Sequence, residues 1–143
     1  MLFESKSAKV QRGFTLLELL VVLVILGMLA ALAGPRVMKY VSSAKSDTAK
    51  LQIEEFGAAL DMYKLEIGRH PNTQEGLQAL VEAPGGATNW NGPYLKKNTV
   101  PKDPWGADYN YVSPGQHGAF DLFTHGADGR EGGEGEDRDV VSW

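Results

Sequence analysis

Apolar and polar positions divide the chain into three regimes. From Phe14 to Gly34 the sequence reads FTLLELLVVLVILGMLAALAG, an almost unbroken apolar run. Its length matches the ~20 residues a helix needs to cross a ~30 Å hydrocarbon layer. Beyond Pro35 the pattern becomes periodic. Val37, Val41, Ala44 and Thr48 share one stripe, and Ile53, Phe56, Leu60, Tyr63 and Ile67 continue it at spacings of three and four, with Lys45, Asp47, Lys50, Glu54, Glu55 and Lys64 mostly between them. This spacing predicts an amphipathic helix. Pro35 is expected to kink the helix without ending it, and Gly68 followed by Pro71 to stop it.

The third regime is short and punctuated. Asn72 and Glu75 have capping-box spacing ahead of Leu77, Leu80 and Val81, so a short second helix is expected up to Pro84. Residues Pro84 to Gly92 form a loop rich in Pro, Gly, Asn and Thr, and Asp103-Pro104-Trp105-Gly106 is a turn signature. Tyr109 to Val112 and Phe120 to Thr124 flank Ser113-Pro114-Gly115-Gln116-His117-Gly118, which predicts an antiparallel hairpin. Trp90, Trp105 and Trp143, with Tyr94, Tyr109 and Tyr111, are expected to pack a small core against the helix. The fold class is therefore α+β: a long N-terminal helix, half membrane and half amphipathic, against a short helix and a small antiparallel sheet. No internal repeat and no linker divides it.

Charge changes this picture at one point, Glu18, a carboxylate inside the apolar run. An acid near hydrocarbon costs about 2.5 to 3.5 kcal/mol even on lenient insertion scales, so it calls for a function and a partner. The flank before it holds Lys6, Lys9 and Arg12 against Glu4. Cationic flanks stay in the cytoplasm, which places the N-terminus inside and the rest of the chain outside. A secretory signal peptide is one competing reading, with Ala31-Leu32-Ala33 as its cleavage site, but the run is longer than the usual h-region and contains Glu18. A plain single-pass anchor is another, and it leaves Glu18 and Gly13 without a role.

A basic leader ending in Gly13, then Phe14, then Thr15-Leu16-Leu17-Glu18 and an apolar run resembles the precursor motif of type IV pilins and pseudopilins. The resemblance implies that a prepilin peptidase removes residues 1–13 and N-methylates Phe14. Residues 14–34 would then form the transmembrane and filament-core helix, and 35–143 the periplasmic domain. It also implies a partner for Glu18, the Phe14 amine of a neighbouring subunit, since opposite charges in a low dielectric relieve each other's burial penalty.

Later segments narrow the resemblance. Asp61-Met62-Tyr63-Lys64, His70-Pro71-Asn72-Thr73, Glu75-Gly76-Leu77-Gln78-Ala79-Leu80, Gly92-Pro93-Tyr94-Leu95-Lys96-Lys97, Asp103-Pro104-Trp105-Gly106, Gly126-Ala127-Asp128-Gly129 and Asp137-Arg138-Asp139-Val140 occur in order along nearly the whole mature chain. Together they resemble the major pseudopilin of type II secretion systems. Type IVa pilins usually close their C-terminal region with a disulfide, and this chain has no cysteine. The resemblance implies a homo-oligomeric helical filament whose growth pushes folded proteins through an outer-membrane secretin channel. Its further partners would be minor pseudopilins and an inner-membrane assembly platform driven by a cytoplasmic ATPase. The alternative is a pilin of an adhesion, motility or DNA-uptake fibre.

Between Asp128 and Asp139 lie six acids, Asp128, Glu131, Glu134, Glu136, Asp137 and Asp139, among four glycines and two arginines. Composition leaves two readings open, a solvated acidic tail or a calcium loop that mixes carboxylates with backbone carbonyls, and the spacing is not that of an EF-hand. The pseudopilin resemblance implies calcium, with Asp128, Asp137, Asp139 and the backbone carbonyl of His125 as its ligands. Arg138 between two of the acids departs from the family pattern, and Glu134 or another carbonyl is an alternative ligand. An assembly pair is also expected between Asp61 on the helix and Lys96 or Lys97 of a neighbour.

Other chemistry is thin. The whole chain has a formal net charge of −4, and losing three cations and one acid with residues 1–13 takes it to about −6. Nucleic acid, which wants a basic face, is thus not expected as a partner. His70, His117 and His125 lack a ligand spacing and read as ordinary surface histidines. With no nucleophile elbow and no P-loop, the chain is expected to be mechanical rather than enzymatic.

Overall fold

The computed structural model describes residues 13–143, so all of the expected leader except Gly13 lies outside the described residues. Its longest element is α1, Leu16–Ile67, and the chain divides after Met38 into two units. In the first unit, Gly13 to Thr15 precede the helix, and the apolar side chains from Leu16 to Leu32 are all exposed. Among the described residues this is the helix long and apolar enough to cross a membrane. Apolar on every side, it has no single face to turn toward a core of its own. The helix continues through Pro35, as the sequence predicts.

In the second unit, α1 supplies the core. Ile53, Phe56, Leu60 and Tyr63 are buried on one stripe, with Ala49 and Ala59 beside them, whereas Val37, Val41, Ala44 and Thr48 remain exposed. Burial thus begins at Ala49, about three turns later than the start of the periodic stripe at Val37. Phe56 meets Tyr109 edge to face at 5.2 Å, and Tyr63 meets Tyr94 in the same way at 5.8 Å. Such pairs add about 0.5 to 1.5 kcal/mol beyond their buried area. Gly68 ends the helix, its N–H donating to the Lys64 carbonyl at 2.8 Å, as the stop signal implied.

The expected second helix is shorter than its sequence suggests. Both capping-box bonds form: Glu75 N–H donates to Asn72 Oδ1 at 2.9 Å, and Asn72 N–H to Glu75 Oε2 at 2.8 Å. Beyond them the chain makes only a single 3₁₀ turn, Leu77–Leu80. Gly76 is the reason: at φ 58° and ψ −163° it lies outside the right-handed region, so the turn begun at Asn72 cannot propagate. Leu77, Ala79 and Leu80 still reach the core. Arg69 grips Glu75 in a two-pronged fork at 2.6 and 2.7 Å, which, with the Asn72 amide, holds the Glu75 carboxyl below its usual range.

Strands β1 (Asn110–Val112), β2 (Asp121–Thr124) and β3 (Val140–Val141) form an antiparallel sheet in the order β1-β2-β3. The expected hairpin is present, with Tyr111 opposite Leu122, both facing the core. At two residues, β3 is too short to leave an alternating pattern in the sequence. Its end is fastened by Ser142, whose N–H donates to the Leu122 carbonyl at 2.9 Å and whose Oγ accepts from the Leu122 N–H at 3.1 Å. Tyr109 and Tyr111 are buried and Trp90, Trp105 and Tyr94 partly so, but Trp143 is 51 % exposed and stacks on His117 at 3.9 Å instead of entering the core.

Two buried aspartates organise the turns. Asp103 Oδ1 accepts from the N–H groups of Trp105 and Ala107 at 3.0 and 2.8 Å, while Oδ2 accepts from the Thr124 hydroxyl. Asp121 accepts from the Gln116 and His117 N–H groups at 2.8 and 3.1 Å and lies 3.0 Å from His117 Nδ1. Burial alone would raise the Asp121 carboxyl, but these bonds outweigh it and hold the group below the ordinary carboxylate value. A depressed folded pKa stabilises the native state above the unfolded value near 4, and that contribution is lost as pH falls through the folded value. Asp121→Asn should therefore lower the urea midpoint at pH 6 yet differ little from the parent near pH 2. A gap of equal size at both pH values would contradict this assignment.

Candidate functional site

Three places hold the residues expected to act. The first is the start of α1. Thr15 N–H donates to Glu18 Oε2 at 2.9 Å, and Glu18 N–H donates to Thr15 Oγ1 at 3.3 Å, a reciprocal capping box. Gly13 and Phe14 precede the helix, and Phe14 is 88 % exposed. Glu18 thus caps its own helix, a role that the Thr-x-x-Glu spacing carries and that reading Glu18 only as a membrane acid missed. The arrangement leaves the Gly13–Phe14 bond outside the helical ladder.

The second place is the outer face of α1 in the second unit. Asp61 has a 74 % exposed side chain, with Oδ1 3.5 Å from His70 Nε2. Lys96 is 95 % exposed and 3.9 Å from Glu55, and Lys97 is also exposed. Within the single chain, Asp61 and the two lysines do not pair. A groove of about 450 Å³ runs between α1 and the loop after Tyr94, with Ala58, Met62, Leu95 and Pro101 in its walls and both lysines on it.

The third place is the acidic loop after β2. Asp128 Oδ1 accepts from the Arg130 N–H at 3.0 Å, Asp139 Oδ2 accepts from the Gly132 N–H at 2.9 Å, and Asp139 Oδ1 lies 3.3 Å from His125 Nδ1. Ala127 N–H donates to the Glu136 carbonyl at 2.8 Å, and Lys45 of α1 reaches Glu136 at 3.9 Å. The loop is folded rather than a free tail, and β3 returns from it to the sheet. Among the described residues, no three His, Cys, Asp or Glu side chains converge at metal-holding spacing. The structure brings Asp139 and His125 together through the imidazole, and Asp128 and Asp137 do not join them in a group of three. In chemistry the donors fit calcium, since the carboxylates and the turned-in carbonyls of Glu136 and Arg138 are all hard oxygens.

All three histidines meet a carboxylate: His70 beside Asp61, His117 beside Asp121 and His125 beside Asp139. Reading them as ordinary surface residues missed this. Only the four-residue spacing of His117 and Asp121 offered a signal; the other pairs bridge separate elements.

A family model described as type II secretion system protein G matches residues 36–143, and one for the prokaryotic N-terminal methylation motif matches residues 8–34. The chain belongs to the protein G family of type II secretion systems. It is 53 % identical over 137 residues to the type II secretion system core protein G of Pseudomonas aeruginosa, covering 93 % of this chain and 95 % of that one. The core protein G of Vibrio cholerae is 47 % identical over 141 residues, covering 96 % and 95 %. The crystal structure of the major pseudopilin from the type 2 secretion system of enterohaemorrhagic Escherichia coli superposes with a TM-score of 0.63 at 33 % identity, over 76 % of this chain and 95 % of that one. The α+β pseudopilin fold expected from the sequence is the fold observed. The methylation motif and the apolar helix of this protein G relative agree with anchoring in the inner membrane.

Proposed function

We propose that this protein G family member is the major structural subunit of a type II secretion pseudopilus, processed at Gly13, methylated at Phe14 and polymerised through its apolar helix into a periplasmic filament. The N-terminus lies in the cytoplasm before processing, and residues 35–143 lie in the periplasm. One observation carries the reading: an all-round apolar helix whose first turn holds Glu18, directly after a non-helical Gly13-Phe14 pair. In the filament, Glu18 exchanges its own Thr15 N–H for the methylated amine of a neighbour's Phe14, which sets the stagger between subunits. Asp61 meets Lys96 or Lys97 of a neighbour; exposed pairs of this kind are worth ~0 to 1 kcal/mol, so their part is register rather than strength. Prepilin peptidase, minor pseudopilins, the inner-membrane platform and the outer-membrane secretin are the partners this role requires.

Mass spectrometry of the mature N-terminus tests the proposal. N-methylated Phe14 is the expected product, and its loss on Gly13→Asp should abolish secretion in a complemented deletion strain. A mature chain beginning at Gly34 would point to an ordinary signal peptide, and an intact Met1 to a plain anchor.

Calcium is part of the same proposal. Asp128, Asp137, Asp139 and the His125 carbonyl would hold the ion, with Asp139 leaving the His125 ring, and its chemistry would be to neutralise carboxylates that otherwise repel. Chelation with EGTA is expected to lower the melting temperature of the purified protein and to open the 126–139 loop to protease, with recovery on adding calcium but not magnesium. Unchanged melting and cleavage would remove calcium from the account.

A further inference from the structure

Beside Asp61 stands a titratable group that the proposed assembly does not use. The His70 side chain is 9 % exposed, and its ring packs edge-on against Phe120 with centroids 5.1 Å apart. Its Nε2 is buried and makes no hydrogen bond, while Asp61 Oδ1 stands 3.5 Å away, close enough for an ion pair but not for a well-formed hydrogen bond. The other side of Asp61 is open, its side chain being 74 % exposed. One carboxylate therefore faces both a buried imidazole of its own chain and whatever approaches from outside.

The other described neighbours of His70 offer no competing counter-charge. Arg69 Nη1 donates to the His70 carbonyl at 3.1 Å, but its guanidinium is engaged by Glu75, so these two charges largely offset one another. From the hairpin come the uncharged Phe120 ring and the Tyr111 hydroxyl, which donates to the Pro71 carbonyl at 2.8 Å. Among the described residues, Asp61 is the carboxylate within ion-pairing distance of this ring. An imidazolium so nearly buried needs an opposite charge beside it, and the position of Asp61 supplies one.

We propose that His70 is a proton-operated clasp on Asp61. With the ring neutral, Asp61 is free to meet a lysine of the next subunit; with the ring protonated by solvent, Asp61 is drawn into an ion pair within its own chain. The inference rests on the reading of Asp61 as an assembly acid. A proton taken up by the ring closes the clasp, so filament growth falls on acidification. It would give the subunit a brake that responds to the acidity outside the inner membrane.

The test is the yield of sheared filaments from cells overproducing the full-length chain, at external pH 7.5 and 5.5, for the parent, His70→Gln and Asp61→Asn. The parent should lose yield several-fold at the lower pH, His70→Gln should stay level, and Asp61→Asn should be low at both. Asp61→Asn leaves His70 in place, so it remains informative if His70→Gln folds poorly, which thermal melting will show. An acid loss in His70→Gln equal to the parent's, with Asp61→Asn low throughout, overturns the clasp and spares the assembly role of Asp61. Asp61→Asn assembling as well as the parent at pH 7.5 overturns the assembly role and the clasp together. A parent yield that does not change with pH also overturns the clasp.

Discussion

Asp103→Ala should cost the second unit, Lys39–Trp143, about 3 to 5 kcal/mol, since hydrogen bonds to a charged group are worth about 1.5 to 3 kcal/mol each and their buried donors would be left unpaired. Asp103 is 4 % exposed, and its carboxylate takes the Trp105 and Ala107 N–H groups and the Thr124 hydroxyl. The first two bonds close the turn that leads into β1, and the third ties that turn to β2. Removing the carboxylate thus unfastens the turn and strands the Thr124 hydroxyl, itself 1 % exposed, in the core. For a unit of this size each kcal/mol is worth roughly 4 to 8 °C, so the melting temperature should fall by at least 10 °C. Asp103→Asn keeps one acceptor oxygen and should lose less. A melting temperature for Asp103→Ala within a few degrees of the parent's would show that these bonds do not fasten the turn.

Gly126→Ala is expected to be at least as damaging, and its damage should start in the acidic loop. Gly126 is buried at φ +69°, a conformation that costs an L residue about 1 to 2 kcal/mol. A Cβ there would also fall 2.5 Å from the Glu136 carbonyl oxygen and 2.9 Å from that of Arg138. Those are backbone atoms and cannot swing aside as the end of a side chain could. The loop must open to admit the methyl, and opening pulls on β3 and on the Ser142 bonds to Leu122. Rapid proteolysis between residues 126 and 139, with early loss of near-UV ellipticity, is the expected outcome. Parent-like protease resistance would show that the loop is looser than these contacts imply. Gly85→Ala, where the space is open and φ is not positive, should be harmless.

The range of each interaction decides whether the sequence discloses or conceals it. Ile53, Phe56, Leu60 and Tyr63 announce themselves because a helix buries one stripe, and the Asp103-Pro104-Trp105-Gly106 turn does so because an Asp side chain bonds amides two and four residues ahead. The hairpin was legible for the same reason. The second helix failed because the capping box at Asn72 and Glu75 is a start signal only, and Gly76 cancels what it starts. Neither β3 nor the His70–Asp61 and His125–Asp139 contacts left a local trace; each joins segments that chain direction alone does not bring together. Of the expected site, Gly13, Phe14 and Glu18 were marked by motif. The ligand geometry of Asp128, Asp137 and Asp139 depends on how a loop with several left-handed glycines folds, which composition does not encode.

The edge strands of the small sheet, β1 and β3, are three and two residues long, so each offers very little unpaired backbone to a stranger. Chains held at high local density are the ones most exposed to edge-to-edge pairing and the amyloid-like growth that can follow. A subunit stored in quantity in one membrane, waiting to polymerise, is in that position. Stubby margins leave the helix as the dominant adhesive surface, so crowding favours a fibre built on helix packing over one built on strand edges.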